Sequence, residues 1–361
     1  MSKNITYILG AGASYHALPV VNGLTERFEL FCMHFAEYIK SNDVSLYQEV
    51  KHHQERLIKN LKGHYTADTY AKKLFLQNPR LHTNEEYILL TNYLSAYFLY
   101  EQLDKNLELD CNSFLNARFN SFSETDENEK ENLQKSLTPS DYRYDSFFAS
   151  ILLNDNNDLI VPSNFNFISW NYDFQFEKSF MNFANCNLSR AMDSLNVFGT
   201  DHITFTRTEG YSQVIKLNGS AGFIRNKSFG EIVDFSNHKL DKATFDIFKT
   251  VLTSRRQELN NGMRFSWEDS KNSIAAINLA KAKIEKSEVI VVIGYSFPYF
   301  NRKTDREIFS KIIHRPEVKV YLQCAKYDID SVLNRFAGIL PNHVIQPYSE
   351  TDQFLIPNEM D

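Results

Sequence analysis

Ile8-Leu9-Gly10-Ala11-Gly12-Ala13-Ser14 follows the first apolar run of the chain, Ile5–Leu9, and precedes a segment with helical spacing. Glycines between a strand and a helix let the chain turn sharply and let backbone N–H groups approach a pyrophosphate. Ser14 adds a hydroxyl donor. A lone GxG is weak evidence, because the same turn also occurs where no ligand binds. The run predicts a strand, a tight turn and a helix, with phosphate binding as the sharper of two interpretations.

Short apolar runs that resemble strands recur along the second half of the chain: Phe165–Ser169, Val214–Leu217, Val289–Ile293 and Val318–Leu322. Val289–Ile293 shows no alternation of apolar and polar residues, as expected of a strand covered on both faces. Helical patterns accompany these runs: Asp241–Leu259, Lys271–Lys286, Arg302–His314 and Asp328–Phe336. Strands that alternate with helices predict an α/β fold with a largely parallel, Rossmann-like sheet.

The segment between the first strand and Phe165 has a different character. From Leu24 to Phe198 the only glycine is Gly63. Helical spacing of apolar residues predicts helices at Thr25–Ser41, Asn84–Leu107 and Tyr142–Leu153, whereas the highly charged Thr125–Leu137 is a solvated helix or a mobile loop. We therefore predict a helical insertion at 25–158 and a sheet domain made of 1–24 and 159–361.

Composition and charge exclude several classes of protein. The chain has 361 residues, 43% hydrophobic residues and a net charge of −6, which argues against global disorder and gives no reason to expect direct nucleic-acid binding. The cysteines are scattered and form no CxxC pair, so no zinc site is predicted: Cys32, Cys111, Cys186 and Cys324. No apolar run reaches the roughly 18 residues of a membrane span, and we expect a cytoplasmic protein.

Polar segments follow three of the later strands: Trp170-Asn171-Tyr172-Asp173, Lys216-Leu217-Asn218-Gly219-Ser220 and Gly294-Tyr295-Ser296-Phe297-Pro298. Ligands of open α/β sheets bind beyond the carboxyl ends of the strands. Asn171 can both donate and accept hydrogen bonds, and Asp173 can cap a helix. Each segment alone is also compatible with an ordinary strand-to-helix loop.

Together with the glycine turn, these segments resemble the motifs of the SIR2-like family, in both its sirtuin branch and its NAD-hydrolysing bacterial branch. The turn is similar to the family's GAGxS, and Asn171-Tyr172-Asp173 is similar to its NxD signature in the NYD form. Lys216–Ser220 resembles KLHGS, and Gly294–Pro298 resembles GYS followed by Leu or Phe and then Pro. The order and rough spacing of the motifs also agree.

The resemblance implies a Rossmann-like domain with NAD across its strand ends and cleavage of the nicotinamide–ribose bond. Asn171 would then position the nicotinamide ribose or the attacking water, and Asp173 would support the pocket. Phosphate contacts would come from Gly10, Ala11, Gly12, Ala13 and Ser14. Further cofactor contacts would come from Gly219 and, on the adenosine side, from Gly294, Tyr295 and Ser296.

Two departures from the family pattern bear on mechanism. The family's zinc-binding cysteines have no counterpart, as in its zinc-free hydrolase members. The family's catalytic histidine falls at Asn218, and a carboxamide cannot take up a proton near neutral pH. Asn218 could still orient a ribose hydroxyl. His16 lies close to the turn and is either a substitute base or, as is commoner for histidines, an incidental residue.

The sequence thus predicts a SIR2-like NAD hydrolase without zinc that releases nicotinamide and ADP-ribose. By resemblance it would act in anti-phage defence, as a homo-oligomer and with a partner protein of the defence system. One alternative is a sensor or assembly subunit that binds NAD or ADP-ribose without turnover. A second is an NAD-dependent protein deacylase, against which the absent cysteines and Asn218 both count. Neither nucleic acid nor a membrane is an expected partner.

Overall fold

The computed structural model describes residues 3–20, 23–80, 84–103, 140–156, 158–199, 211–225, 240–253 and 259–360. The chain divides into two compact units. The sheet unit comprises Met1–Tyr15, Ser140–Ser220 and Met263–Asp361, and the helical unit comprises His16–Pro139 and Ala221–Gly262. The charged segment Thr125–Leu137 and Cys111 lie outside the described residues.

The strands, in chain order, are β1 (Ile5–Leu9), β2 (Leu153–Asp155), β3 (Asp158–Ile160), β4 (Phe165–Ser169), β5 (Val197–Phe198), β6 (Gln213–Lys216), β7 (Gly219–Arg225), β8 (Leu259–Met263), β9 (Val289–Ile293), β10 (Lys319–Gln323) and β11 (Ile345–Tyr348). The helices are α1 (Leu24–Asn42), α2 (Val44–Lys62), α3 (Ala67–Gln77), α4 (Glu85–Glu101), α5 (Arg143–Ile151), α6 (Gln175–Ala184), α7 (Leu188–Ser194), α8 (Lys242–Thr253), α9 (Lys271–Lys286), α10 (Arg302–Phe309) and α11 (Ile329–Ala337). Short 3₁₀ turns occupy Ala11–Ser14, Tyr299–Asn301 and Asn358–Met360.

The described part of the sheet unit contains a seven-stranded parallel sheet with the order β11-β10-β9-β1-β4-β6-β5. β1 lies at its centre, with Ile5 opposite Phe165 of β4 on one side and Val289 of β9 on the other. The strands on the β4 side of β1 come first along the chain, and those on the β9 side come later. The topological switch point therefore lies between β1 and β9. The predicted α/β, Rossmann-like fold is confirmed.

The two faces of the sheet bury different side chains. Because successive strand residues point to opposite faces, Tyr7 packs against Phe147 and Phe167, whereas Ile8 belongs to a core with Ala280 of α9. All five residues of β9 are buried, which explains its lack of alternation. Helices therefore cover the sheet on both sides, and its carboxyl edge is where loops gather.

The helical unit is built on aromatic packing. Phe28, Phe31 and Phe35 of α1 recur at steps of three and four residues and are fully buried, as the spacing predicts. Their ring partners within this unit are Tyr93, Tyr97, Tyr100, Phe245 and Phe248. None of the helices in the described ranges is long and apolar enough to cross a membrane.

The boundary between the units differs from the one the sequence pattern suggests. Residues 140–158, including α5, cluster with the sheet unit, and residues 221–262 cluster with the helical unit. α5 packs on the sheet through Phe147, whose ring contacts Tyr7 and Phe167 edge-on. The aromatic spacing of 142–153 predicts a helix, but it does not show which surface that helix covers.

Candidate functional site

The four sequence motifs lie at one edge of the sheet. They follow β9, β1, β4 and β6, which are consecutive neighbours, so their first residues emerge side by side. Backbone hydrogen bonds continue beyond the strands, from Trp170 N to the Leu9 carbonyl at 3.0 Å and from Leu217 N to the Ser169 carbonyl at 2.9 Å. The structure thus brings together the segments that the sequence separates by up to 284 residues, counted from Gly10 to Gly294.

The glycine turn packs backbone-to-backbone against the loop after β9. Gly10 N donates to the Ile293 carbonyl at 3.0 Å, and Gly12 N donates to the Gly294 carbonyl at 2.9 Å. A Cβ on Gly12 would lie 2.8 Å from Gly294 Cα, too close for any side chain. Glycine is therefore required at Gly12 by contact between two loops at the switch point.

This packing also uses donors of the turn. Besides the Gly10 and Gly12 N–H groups, Ala13 N donates to the Gly10 carbonyl at 2.9 Å. Ala11 is exposed and Gly12 is half-buried, so these two residues present the turn to solvent. Any phosphate held here would meet the turn mainly at Ala11 and Gly12.

Asn171, Ser14 and Asp173 form a buried hydrogen-bonded chain. Asn171 Nδ2 donates to the Gly10 carbonyl at 2.9 Å and to Ser14 Oγ at 3.4 Å. The Ser14 hydroxyl in turn hydrogen-bonds the Asp173 carboxyl group. All three residues are buried. The loop after β4 is therefore tied to the glycine turn through side chains, which fixes the amide of Asn171 at two points.

Asp173 also holds the start of α6, because its Oδ1 accepts a hydrogen bond from Gln175 N at 3.0 Å. Burial raises the pKa of the Asp173 carboxyl, while Lys216 and the bonds from Gln175 N and Ser14 oppose that shift. These contacts engage the Asp173 carboxyl within the protein.

Lys216 is a functional candidate that the sequence reasoning did not assign a role. Its ammonium group donates to the backbone carbonyl of Asp173, lies 3.0 Å from Glu177 Oε1 and sits 4.9 Å from the Phe174 ring centroid. Lys216 and Glu177 are both buried. The available signal was a lysine that directly follows Val214 and Ile215 in a predicted strand. Its partner on α6 is apparent only in the fold.

Asn218, two residues after the end of β6, has a side-chain oxygen that accepts no hydrogen bond from the described residues. Its Nδ2 donates to the Trp170 carbonyl at 3.1 Å, and its backbone carbonyl accepts from Arg264 N at 2.8 Å. Within the described residues, Oδ1 is buried and has no hydrogen-bond partner. Leaving such an oxygen unpaired costs about 1–3 kcal/mol, so a ligand hydroxyl there would be stabilised. Gly219 follows it, buried and with φ +68°.

In the loop after β9, the two side chains that are predicted to contact the ligand differ, because Tyr295 is buried and Ser296 is exposed. The Tyr295 ring stacks on Trp170 with centroids 5.5 Å apart, and its hydroxyl donates to the Asp305 carboxylate and accepts from Asn301 Nδ2 at 3.0 Å. The Tyr295 side chain thus packs in the core of the sheet unit, whereas Ser296 is open to solvent. Burial raises the pKa of Asp305 to about 8.

Arg143 contacts the glycine turn from α5, and sequence reasoning missed it. Its Nη2 donates to the Gly12 and Ala13 carbonyls at 3.0 and 3.2 Å. The available signal in the sequence was a pair of polar residues directly before an aromatic helix.

His16, the alternative base, belongs to the helical unit. No group of three or more His, Cys, Asp or Glu side chains in the described ranges could hold a metal ion.

Comparison with known proteins finds no matching family model and no matching curated protein. One similar solved structure is a Sir2 protein with a deacetylated p53 peptide and acetyl ADP-ribose, at 10% identity and TM-score 0.43 over 97% of this chain and 89% of that chain. A structure described as the basis for the mechanism and regulation of Sir2 enzymes has 11% identity and TM-score 0.37, with the same coverage of both chains, 97% and 89%.

A third similar structure is Sir2Tm bound to a propionylated peptide, at 9% identity and TM-score 0.33, again over 97% of this chain and 89% of that chain. All three similarities are too distant to assign the chain to a family or to give it a substrate.

Proposed function

We propose that the chain is a SIR2-like NAD hydrolase that releases nicotinamide and ADP-ribose. The observation that carries the proposal is the buried polar group at the carboxyl ends of β1, β4 and β6: Ser14, Asn171, Asp173 and Asn218. It lies beside the switch point, where open α/β sheets bind their ligands. The motif resemblance selects NAD among the dinucleotides and makes it a substrate rather than a hydride carrier.

Cleavage of the nicotinamide–ribose bond depends on stabilisation of positive charge more than on a strong base. When nicotinamide departs, the ribose becomes oxocarbenium-like, and polar groups fixed in advance stabilise that charge without reorganising. The amide of Asn171 is held by the Gly10 carbonyl and Ser14, so it can orient the ribose or the water. The Asn218 Oδ1 atom can accept a hydrogen bond from a ribose hydroxyl.

The second candidate is a subunit that binds NAD or ADP-ribose without cleaving it. Asn218 favours this candidate, because a carboxamide stands where the family has a proton acceptor. The carboxyl of Asp173 does not replace it readily, since Gln175 N and Ser14 already occupy it. A deacylase would need the same proton acceptor and is therefore less favoured than either candidate.

The cellular setting is part of the proposal and rests on resemblance alone. We place the protein in the cytoplasm as an anti-phage defence effector. We expect it to act as a homo-oligomer and to be released from inhibition by a defence-system partner.

The test is nicotinamide release from NAD by the purified chain, alone and with the proteins encoded beside it. Asn171→Ala removes the amide that is tied to Gly10 and Ser14, and we expect turnover to fall by about 100-fold or more. Asn334→Ala on α11 is the matched control, because Asn334 is exposed and its substitution should leave turnover unchanged. Thermal melting confirms that both variants fold.

Tight NAD binding without nicotinamide release under any of these conditions would refute the hydrolase and leave the binding subunit. Asn218→His then distinguishes a lost catalytic group from a site that never had one. A gain of turnover in Asn218→His, with Asn171 intact, would show that the native chain lacks only the proton acceptor.

A further inference from the structure

Arg143, at the first position of α5, is buried, and each of its three guanidinium nitrogens donates a hydrogen bond. Its Nη2 contacts the carbonyls of the glycine turn, and Nη1 donates to the Thr351 carbonyl at 3.1 Å. Asp141 accepts from Nε at 2.9 Å and from Nη2 at 2.6 Å. A guanidinium fork has five donors in fixed directions, so this residue holds four groups in one geometry.

The contact fixes the orientation of two peptide units in the turn. A peptide bond is planar and trans, so a carbonyl and the N–H of the next residue point in opposite directions. By drawing the Gly12 and Ala13 carbonyls toward itself, Arg143 directs the N–H groups of Ala13 and Ser14 away from itself. The Ala13 N–H group donates to the Gly10 carbonyl within the turn, so the contact fixes the backbone shape in which the turn presents Ala11 and Gly12 to a phosphate.

The residue after Arg143 acts on the same turn. The Tyr144 hydroxyl lies 3.4 Å from Ser14 Oγ, and Ser14 in turn accepts a hydrogen bond from Asn171. Phe354 contacts both residues. Its ring centroid lies 5.0 Å from Arg143 Cζ and 4.8 Å from the Tyr144 ring centroid, to which the ring is edge-on. The start of α5 therefore supports both the backbone and the hydroxyl of the turn.

We infer that Arg143 is a positioning residue for the pyrophosphate of the bound dinucleotide, acting through the peptide units of Gly12 and Ala13. Its charge is neutralised by Asp141, so its effect is orientation of the turn and not direct attraction of phosphate. The inference rests on the proposed function only in that a dinucleotide occupies this turn. It requires binding, and it does not require cleavage.

The test compares a ligand that has the pyrophosphate with one that lacks it. Binding of ADP-ribose and of adenosine is measured by ligand-observed NMR for the wild type, Arg143→Lys and the double variant Asp141→Asn/Arg143→Gln. The double variant leaves no unpaired buried charge, so it should fold. Arg335→Gln on α11 is the matched control, because the hydrogen bonds of that side chain within the described residues go to Ser331 of the same helix.

We expect the Kd of ADP-ribose to rise about 10-fold or more in the double variant, which corresponds to about 1.4 kcal/mol, and less in Arg143→Lys. The Kd of adenosine and the melting temperature should change little. If turnover occurs, KM for NAD should rise while kcat stays within a factor of about two. An equal loss for both ligands, or no loss for either, would overturn the inference.

The two proposals fail in different ways. A wild type that binds ADP-ribose but never releases nicotinamide refutes the hydrolase, while the role of Arg143 is still decided by the ratio of the two Kd values. A wild type that binds neither ligand overturns both proposals. Normal hydrolysis with an unchanged Kd of ADP-ribose in the double variant overturns the positioning role alone.

Discussion

Gly294 occupies the most constrained backbone position at the site. Its φ is +59°, in the left-handed region, and a Cβ there would lie 2.4 Å from Ala13 N and 2.5 Å from Gly12 Cα. Two independent effects therefore exclude a side chain: the backbone conformation and the contact with the facing turn. The glycines after β1 and β9 hold two loops together at the switch point as well as facing any ligand.

Gly294→Ala should accordingly destabilise the chain by about 2–5 kcal/mol, the sum of the left-handed penalty and of overpacking. Gly63→Ala is the control, because Gly63 has φ −81° and its Cβ would meet nothing closer than 3.4 Å. Urea unfolding followed by circular dichroism measures both. A Gly294→Ala variant as stable as Gly63→Ala would show that the two turns are not in the contact described.

For single residues, the sequence predicts which positions follow the strand ends better than it predicts which residues they contact. The strand-end motifs mark Asn171 and Asn218 because each directly follows an apolar run. Lys216 and Arg143 escape such reasoning, since the residues that engage them, Glu177 on α6 and the carbonyl of Gly12, are distant in sequence. Burial of the Tyr295 side chain was equally hidden, because one strand end can present a side chain to a ligand or to the core.

Among the elements, α9 illustrates a helix that the sequence determines locally. Its observed bounds, Lys271–Lys286, are those predicted from periodicity. Ala276, Ala280 and Ile284 recur every four residues and are fully buried in the sheet core. Ser270 caps its first turn, with Oγ accepting a hydrogen bond from Ser273 N at 3.0 Å. Pattern and cap therefore agree.

The edge strands behave differently. β5 has two residues and β11 has four, with Gln346, Pro347 and Tyr348 of β11 exposed. The sequence patterns of β5 and β11 do not distinguish these strands from loops, because short edge strands carry few buried side chains. They exist because β6 and β10 offer open edges, which is a property of the assembled sheet. Sequence reasoning consequently finds the centre of this sheet and misses its borders.

The cap of α9 gives a prediction at this scale. Ser270→Ala should lower the free energy of unfolding by about 1 kcal/mol, because Ser273 N loses its acceptor. Ser270→Asn keeps a side-chain acceptor at the N-cap and should stay close to the wild type. The midpoint of urea unfolding measures both variants. Equal midpoints for the alanine and asparagine variants would contradict the capping role.

For the molecule as a whole, the sheet unit buries several ionisable side chains. Two of its buried carboxylates are compensated, Glu177 by Lys216 and Asp141 by Arg143. Asp305 differs, because the contact described for its carboxylate is the neutral hydroxyl of Tyr295. Burial disfavours the charged form of this carboxyl and raises the pKa of Asp305 to about 8, while the hydrogen bond from Tyr295 opposes that shift.

This raised pKa makes the stability of the protein depend on pH with a definite sign. Between the ordinary pKa of about 4 and the folded value of about 8, the unfolded chain has released the Asp305 proton and the folded chain retains it. The unfolded state then binds fewer protons, so the free energy of unfolding falls as pH rises through this window. Above the folded pKa the loss is complete.

Asp305→Asn removes the group that titrates while its amide oxygen can still accept a hydrogen bond from Tyr295. The variant should gain stability over the wild type as pH rises from 5 to 8, by on the order of 3 kcal/mol across that window. The control is Asp352→Asn, since Asp352 is exposed. Urea unfolding at both pH values gives the comparison. A difference between Asp305→Asn and wild type that is the same at pH 5 and pH 8 would mean that the pKa of Asp305 is not raised in the folded protein. The pH profile therefore tests the packing of Tyr295, and with it the ring on which Trp170 is stacked beside the site.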